Sequence, residues 1–344
     1  MNLASPWWSE SESFRWIDGE RTIVYGRGKV SEARGLLGAA PYELLSTERA
    51  AACAPELVRD AARVHYVPPG RVDEIAASLR PALQDQLLVA LGGGRVIDTA
   101  KALAAADPPR RVAAIPTTLS GAEMTSIHRH AGGVAADTPR ARPELVINDP
   151  ELSASQPPRE QAASAANAIG HALEGPLTPL RNPAARLTAL ESIRLIAAAL
   201  GHEARAAESV AVRDRLALGS LLAGYVISST GYGLHHVLAQ TLVRFASVGH
   251  GPANAIMLPH TAAALARRFP AELQQLGEAA GEDVVAFAER IRGLTGVTRL
   301  RQVIDGDQSV LDRCADQAVQ RPELHMTPPP ADRAEILELY RAAW

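Results

Sequence analysis

Through the first 150 positions, short runs of aliphatic and β-branched residues alternate with alanine-rich amphipathic stretches. The runs at 20–26 (ERTIVYG), 42–47 (YELLST), 63–69 (RVHYVPP), 86–94, 111–118 and 144–150 predict strands. The stretches at 30–40, 50–61, 72–83 and 96–106 predict helices between most of them. Strands that alternate with helices imply parallel pairing through crossover helices, hence a doubly wound α/β domain over residues 1–150.

The pattern then changes. Residues 159–173, 184–200, 212–226, 234–245, 253–268 and 283–294 read as helices, with almost no strand-like alternation among them. An all-α C-terminal domain over 151–344 is expected. No internal repeat or low-complexity linker is visible.

Composition narrows the function classes. With 344 residues and a net charge of -3, the chain has no basic excess for a phosphate backbone, so nucleic acid is not an expected partner. No apolar run approaches the roughly 18 residues of a membrane helix. The N-terminus is polar and acidic, without a secretory core, and Cys53 and Cys314 form no CxxC pair. A cytoplasmic location is expected. Lys29 and Lys101 are the only lysines, so 33 of the 35 basic residues are arginine.

Three segments carry candidate chemistry. Gly92, Gly93 and Gly94 follow a hydrophobic run and precede a helix, in GGGRVIDTAK. Glycines there let a ligand approach the backbone, and a helix N-terminus offers free N–H groups and partial positive charge to a phosphate. A plain strand-to-helix turn is the competing reading. The next run ends in PTTLSGAEMT, whose hydroxyls face the same crevice or simply cap a helix. Finally, Asn167 and His171 are four apart, on one helix face. His236 and Gln240 repeat that spacing, and His250 follows in VGHGPAN. Histidines on separate helices are able to converge on a divalent cation such as iron or zinc, although a lone histidine is usually structural.

Taken together, GGGRVIDTAK (92–101), IPTTLSGAEMT (115–125), NDPEL (148–152), NAIGHALEG (167–175), GLHHVLAQ (233–240) and HGPANAIMLPH (250–260) resemble the iron-containing (group III) alcohol dehydrogenase family, which shares its fold with dehydroquinate synthase. The maleylacetate reductase branch is the nearest in flavour. The resemblance implies a nucleotide-binding domain and a helical domain, with NAD or NADP across a cleft, a small-molecule substrate and a homodimer. It places Gly92, Gly93, Gly94, Arg95, Asp98, Lys101, Thr117, Thr118 and Leu119 at the cofactor. Asn167, His171, His236 and His250 take the metal-ligand positions, with His171, His235, His236 and His250 as catalytic candidates.

Departures from the family pattern bear on chemistry. Asn167 stands where metal-holding members have Asp, which makes a weaker site for a hard cation. Gln240 stands at a usual histidine and cannot act as acid or base. Arg95 replaces a serine, and either favours a 2′-phosphate or faces solvent. Glu48 and Arg49 leave the choice between NADH and NADPH open. The expected reaction is hydride transfer with a small carbonyl or alcohol, including an oxo acid. Protonated His236 or His250 would donate to the oxyanion, and Arg129 or Arg244 would take a carboxylate. A non-redox tailoring, cyclase or lyase reaction on the same scaffold is the alternative, weakened by the scarcity of lysine for a sugar phosphate.

Overall fold

A computed structural model describes residues 13–201 and 209–344. The described chain forms two compact units, one of residues 13–156 with 209–221 and one of 157–201 with 222–344.

The first unit is built on a seven-stranded sheet. Its strands are β1 (Phe14–Asp18), β2 (Arg21–Tyr25), β3 (Tyr42–Ser46), β4 (Arg63–Tyr66), β5 (Leu87–Gly92), β6 (Arg111–Pro116) and β7 (Leu145–Asn148), in the order β1-β2-β7-β6-β5-β3-β4. Every pair is parallel except β1 with β2, which runs antiparallel with Phe14 opposite Tyr25. Strand β1 is a difference from the expected elements. Its five residues alternate half-buried and exposed at the sheet edge, too short a signal beside the polar stretch before it.

Helices α1 (Ala33–Leu37), α2 (Glu48–Ala52), α3 (Pro55–Asp60), α4 (Val72–Leu79) and α5 (Gly94–Ala106) connect the strands. Two expected helices are shorter than anticipated. The first ends at Gly38, whose φ of 80° stops the chain from continuing as a helix. The second is split at Pro55, which has no N–H for the ladder and starts α3 instead. Strand β5 is buried along its whole length. Leu88 and Ala90 face Val96, Ile97, Ala100 and Leu103, while Val89 and Leu91 face Leu44, Leu57 and Ile115. Both faces are therefore covered, as a parallel sheet requires. From β3 the chain moves outward to β4, whereas from β5 it moves the other way to β6. The carboxyl ends at Ser46 and Gly92 thus flank the topological switch point, where open α/β sheets bind ligands.

The second unit contains α6 (Pro158–Glu174), α7 (Pro183–Ala199), the latter part of α8 (Val210–Thr230), α9 (Leu234–Phe245), α10 (His250–Arg268), α11 (Pro270–Ala280), α12 (Val284–Leu294), α13 (Ser309–Ala318) and α14 (Arg333–Ala342). Three of these, α11, α13 and α14, had not been expected. Helix α6 is buried on nearly every face from Gln161 onward, so its polar residues must find partners inside the protein. No described helix is long and apolar enough to cross a membrane.

Candidate active site

In the first unit, the glycine turn starts α5. No side chain caps the helix at Gly93, so the first-turn N–H groups stay free for an acceptor. A Cβ on Gly93 would lie 2.9 Å from Thr118 Cγ2, and one on Gly94 3.2 Å from Ser120. The glycines therefore let the 117–120 loop close against the helix start. Thr118 and Leu119, with Asn148 and Asp149, line a small cavity of about 10 Å³, close to the space of one water. Thr117 is buried, and its N–H donates to the Gly92 carbonyl. Arg95 is exposed on the first turn of α5. An uncapped helix start at the switch point, walled by hydroxyls, fits a pyrophosphate.

Lys101 needs correcting as a phosphate contact. Its side chain is fully buried, and its ammonium donates to the carbonyls of Ala122, Thr125 and Ile127 at 2.9, 3.1 and 2.9 Å. Asp98 completes the shell at 2.7 Å. Lys101 straps the 117–127 loop onto α5, leaving no proton for a nucleotide. Glu123 lies in the same strap, and burial pushes its carboxyl up to about 7.

The second unit gathers the histidines. His236 Nε2 and His250 Nε2 both donate to Oδ1 of Asn167, at 3.3 and 3.2 Å. The same amide reaches His171 Nε2 at 3.5 Å, and the His171 and His236 rings stack at 4.6 Å. Three imidazoles from α6, α9 and α10 thus meet on one amide. Close approach is made possible by Gly170, where a Cβ would lie 2.4 Å from His235 and 3.3 Å from His236. Asn254 donates to the His250 carbonyl at 2.8 Å and fixes the start of α10.

Electrostatics set the proton states. Burial pushes His236 down to about 3 and His171 well below its ordinary value, with neighbouring imidazoles adding to both shifts. The expected protonated His236 is therefore replaced by a neutral ring, which still donates through Nε2–H. His235 is also neutral, held down to about 3 by burial, and its Nδ1 is bonded to Thr261 Oγ1 at 2.8 Å. That placement does not support an acid role for His235. His250 is the exposed member of the set.

Several contributing residues were not anticipated. Glu174 is fully buried against His236, with its carboxyl pushed up to about 7 by desolvation. Its place three residues after His171, on the same helix face, was the available signal. Tyr232, whose ring centroid is 5.9 Å from that of His236, is held by Glu323 and Arg321 at 3.0 and 3.1 Å. Arg321 is nine-tenths buried, pairs with Glu323 at 3.2 Å, and has no partner at Nη1 among the described residues. Nothing in the spacing of positions 232, 321 and 323 announces this group. Of the expected carboxylate receivers, Arg129 already pairs with Asp73 in the first unit, and Arg244 is exposed at the end of α9.

Among the described residues, no group of three or more His, Cys, Asp or Glu side chains is arranged to hold a metal ion. The donor chemistry nevertheless suits one, since three imidazole nitrogens match zinc or ferrous iron. The amide of Asn167 takes the centre they would share.

Comparison with known proteins agrees with the geometry. The C-terminal model of the Fe-containing alcohol dehydrogenase family matches residues 161–344, and the iron-containing alcohol dehydrogenase model matches residues 61–150. The chain belongs to the iron-containing alcohol dehydrogenase family. Maleylacetate reductase 2 of Cupriavidus pinatubonensis is 36% identical over 288 residues, covering 82% of this chain and 79% of that protein. Maleylacetate reductase 1 of Rhodococcus opacus is 32% identical over 296 residues, covering 83% and 80%. The crystal structure of maleylacetate reductase from Agrobacterium tumefaciens superposes with a TM-score of 0.82 at 28% identity, covering 96% of this chain and 97% of that one. This iron-containing alcohol dehydrogenase family member is an NAD(P)-dependent oxidoreductase of the maleylacetate reductase-like kind, acting on a small molecule. The non-redox alternative finds no support in these relatives.

Proposed function

We propose that the protein reduces the carbonyl of a small oxo acid, a substrate class to which the relatives' name, maleylacetate reductase, points. The observation that carries this reading is the pair of imidazole N–H groups, from His236 and His250, aimed at one oxygen. In the resting chain that oxygen is Oδ1 of Asn167. A substrate carbonyl oxygen in its place would receive the same two donors as charge develops on it. A neutral His236 suffices, since a hydrogen bond to an oxyanion strengthens as the charge grows.

The 92–94 turn and the 117–120 loop would hold reduced NAD or NADP, which would supply the hydride for the carbonyl carbon. The carbonyl π pair moves to oxygen, and the proton that neutralises it comes from water through the exposed His250. If a divalent ion is held by His171, His236 and His250 with Asn167, it supplies Lewis acidity at that oxygen. Arg321, beside Tyr232, offers its unpartnered Nη1 to the substrate carboxylate. A buried cationic N–H without an acceptor is costly, so a ligand oxygen there is favoured. Arg244 lies close enough to act electrostatically on Tyr232 and adds a second positive charge nearby. A cytoplasmic homodimer completes the reading, in line with the near-neutral, disulfide-free composition and the family.

The test mixes purified protein with NADH or NADPH and a panel of 3-oxo acids and aldehydes, following the absorbance of the reduced nicotinamide. Oxidation that requires an oxo acid supports the reading. Proven nucleotide binding with no turnover of any carbonyl sinks it.

A further inference from the structure

Helix α9 lacks a cap of its own. Its N-cap is Gly233, which has no side chain to accept from the first-turn N–H groups. A Cβ at that position would lie 2.1 Å from Thr327 Oγ1, so the glycine makes room for a cap delivered from elsewhere. Thr327 Oγ1 accepts from Leu234 N–H at 2.9 Å. Glu174 Oε2, at the last turn of α6, accepts from His235 N–H at 3.0 Å. The other oxygen of that carboxyl, Oε1, lies 2.5 Å from His236 Nδ1.

One fully buried side chain thus holds both the backbone that carries His236 and the ring itself. The imidazole can rotate about two bonds. Its Nδ1 bond to Glu174 removes that freedom, and the backbone bond fixes where the rotation starts. The atom left pointing at Asn167 is Nε2. Loss of the carboxyl would free the ring to turn within a space bounded by His171, His235 and Tyr232.

We infer that Glu174 is a positioning residue for the reaction: by bridging His235 N–H and His236 Nδ1, it aims His236 Nε2 at the oxygen of the carbonyl that is reduced. The inference rests on the reading of His236 as a donor to that oxygen. Glutamine at this position keeps the reach, with its oxygen for His235 N–H and its NH2 for Nδ1. Aspartate keeps the carboxyl but is one methylene too short to span both partners.

Three variants and two readouts test it. Glu174→Gln is expected to retain kcat within about threefold. Glu174→Asp and Glu174→Leu are expected to lose about 10- to 100-fold in kcat, the usual cost of removing a partner that orients a functional histidine. Substrate KM and nucleotide Kd should stay within about threefold in all three. Independently of turnover, nitrogen-15 spectra of histidine-labelled protein should show the His236 ring signals kept in the Gln variant and shifted or broadened in the Asp variant. If the Leu variant does not fold, the Gln and Asp pair still decides. Retention by Asp with loss by Gln would mean that the acid group, not aim, is what matters, and would overturn the proposal. Equal behaviour of Gln and Asp, in kcat or in the spectra, would overturn it as well. A wild-type protein that reduces no carbonyl would fail the functional reading, while the spectra would still judge the positioning of His236.

Discussion

The two units meet their functional demands in opposite ways. The first builds its nucleotide-facing turn from contiguous residues, where three glycines bring one loop against the start of one helix. The second builds its centre from residues spread between 167 and 327, on α6, α9, α10 and the segment before α14. Each unit also buries a glutamate whose carboxyl desolvation pushes up to about 7, Glu123 in the first and Glu174 in the second. Glu123 has an oxygen without a partner, whereas both oxygens of Glu174 are bonded. A contiguous motif demands only local geometry. A dispersed centre demands that several helices agree, so it needs extra partners to enforce the aim of each ring.

The sharpest way to separate the units is His236→Ala. It removes one of two donors to the reacting oxygen and is expected to cost about 10²- to 10⁴-fold in kcat. Nucleotide Kd, measured by fluorescence of the reduced nicotinamide, should be unchanged. A weakened Kd of comparable size would show that the two tasks are not divided between the units as proposed.

A smaller effect is expected from Arg321→Met. The variant loses the free Nη1 donor and the guanidinium over the Tyr232 ring but keeps an unbranched stem in its place. A charge-assisted hydrogen bond of about 1.5–3 kcal/mol corresponds to about a 10- to 100-fold rise in KM for an oxo acid. Activity on an uncharged aldehyde should change by less than about threefold. Equal losses on both substrates would mean that Arg321 serves only to hold Tyr232 and Glu323.

The mirror experiment is Gly93→Val. A side chain there drives into Thr118, 2.9 Å from the position its Cβ would take. Overpacking of this kind costs about 1–3 kcal/mol, read as a rise of about tenfold or more in nucleotide Kd. The histidine centre should be intact, and kcat at saturating nucleotide should remain within about threefold. An unchanged Kd would remove the glycine turn from the binding site.

These contrasts also explain what could be read in advance. The glycine turn was legible because strand, turn and helix adjoin in sequence and each has its own pattern. Asn167 and His171 were legible as an i,i+4 pair. Strand β1 was missed because five half-exposed edge residues give little periodicity. The role of Lys101 was misjudged because a motif ending beside a phosphate cradle says nothing about where an ammonium points once buried. Tyr232 and Arg321 are 89 residues apart, and only the packed helices bring them together. The neutral state of His236 is a property of burial, which local sequence does not encode.

The weakest effect expected concerns Glu123, buried in the first unit. Desolvation raises Glu123 from an ordinary value of 4.5 to about 7. Between those values the folded chain keeps the proton while the unfolded chain releases it. Stability therefore falls as pH rises through that window and is lowest, from this group, above about 7. The loss is at most about 3 kcal/mol. Glu123→Gln removes the titration, so the variant should gain on the wild type as pH rises from about 5 to 8, by a few degrees in melting temperature. Below about pH 4.5 the two proteins should differ little, because the wild-type carboxyl is then protonated in both states. The opposite slope would mean that Lys101 and Arg21, the cations whose charge acts on Glu123, outweigh its desolvation. A flat difference curve would mean that water or local opening reaches the carboxyl and that the loop strap of the first unit is looser than the bonded carboxyl of the second.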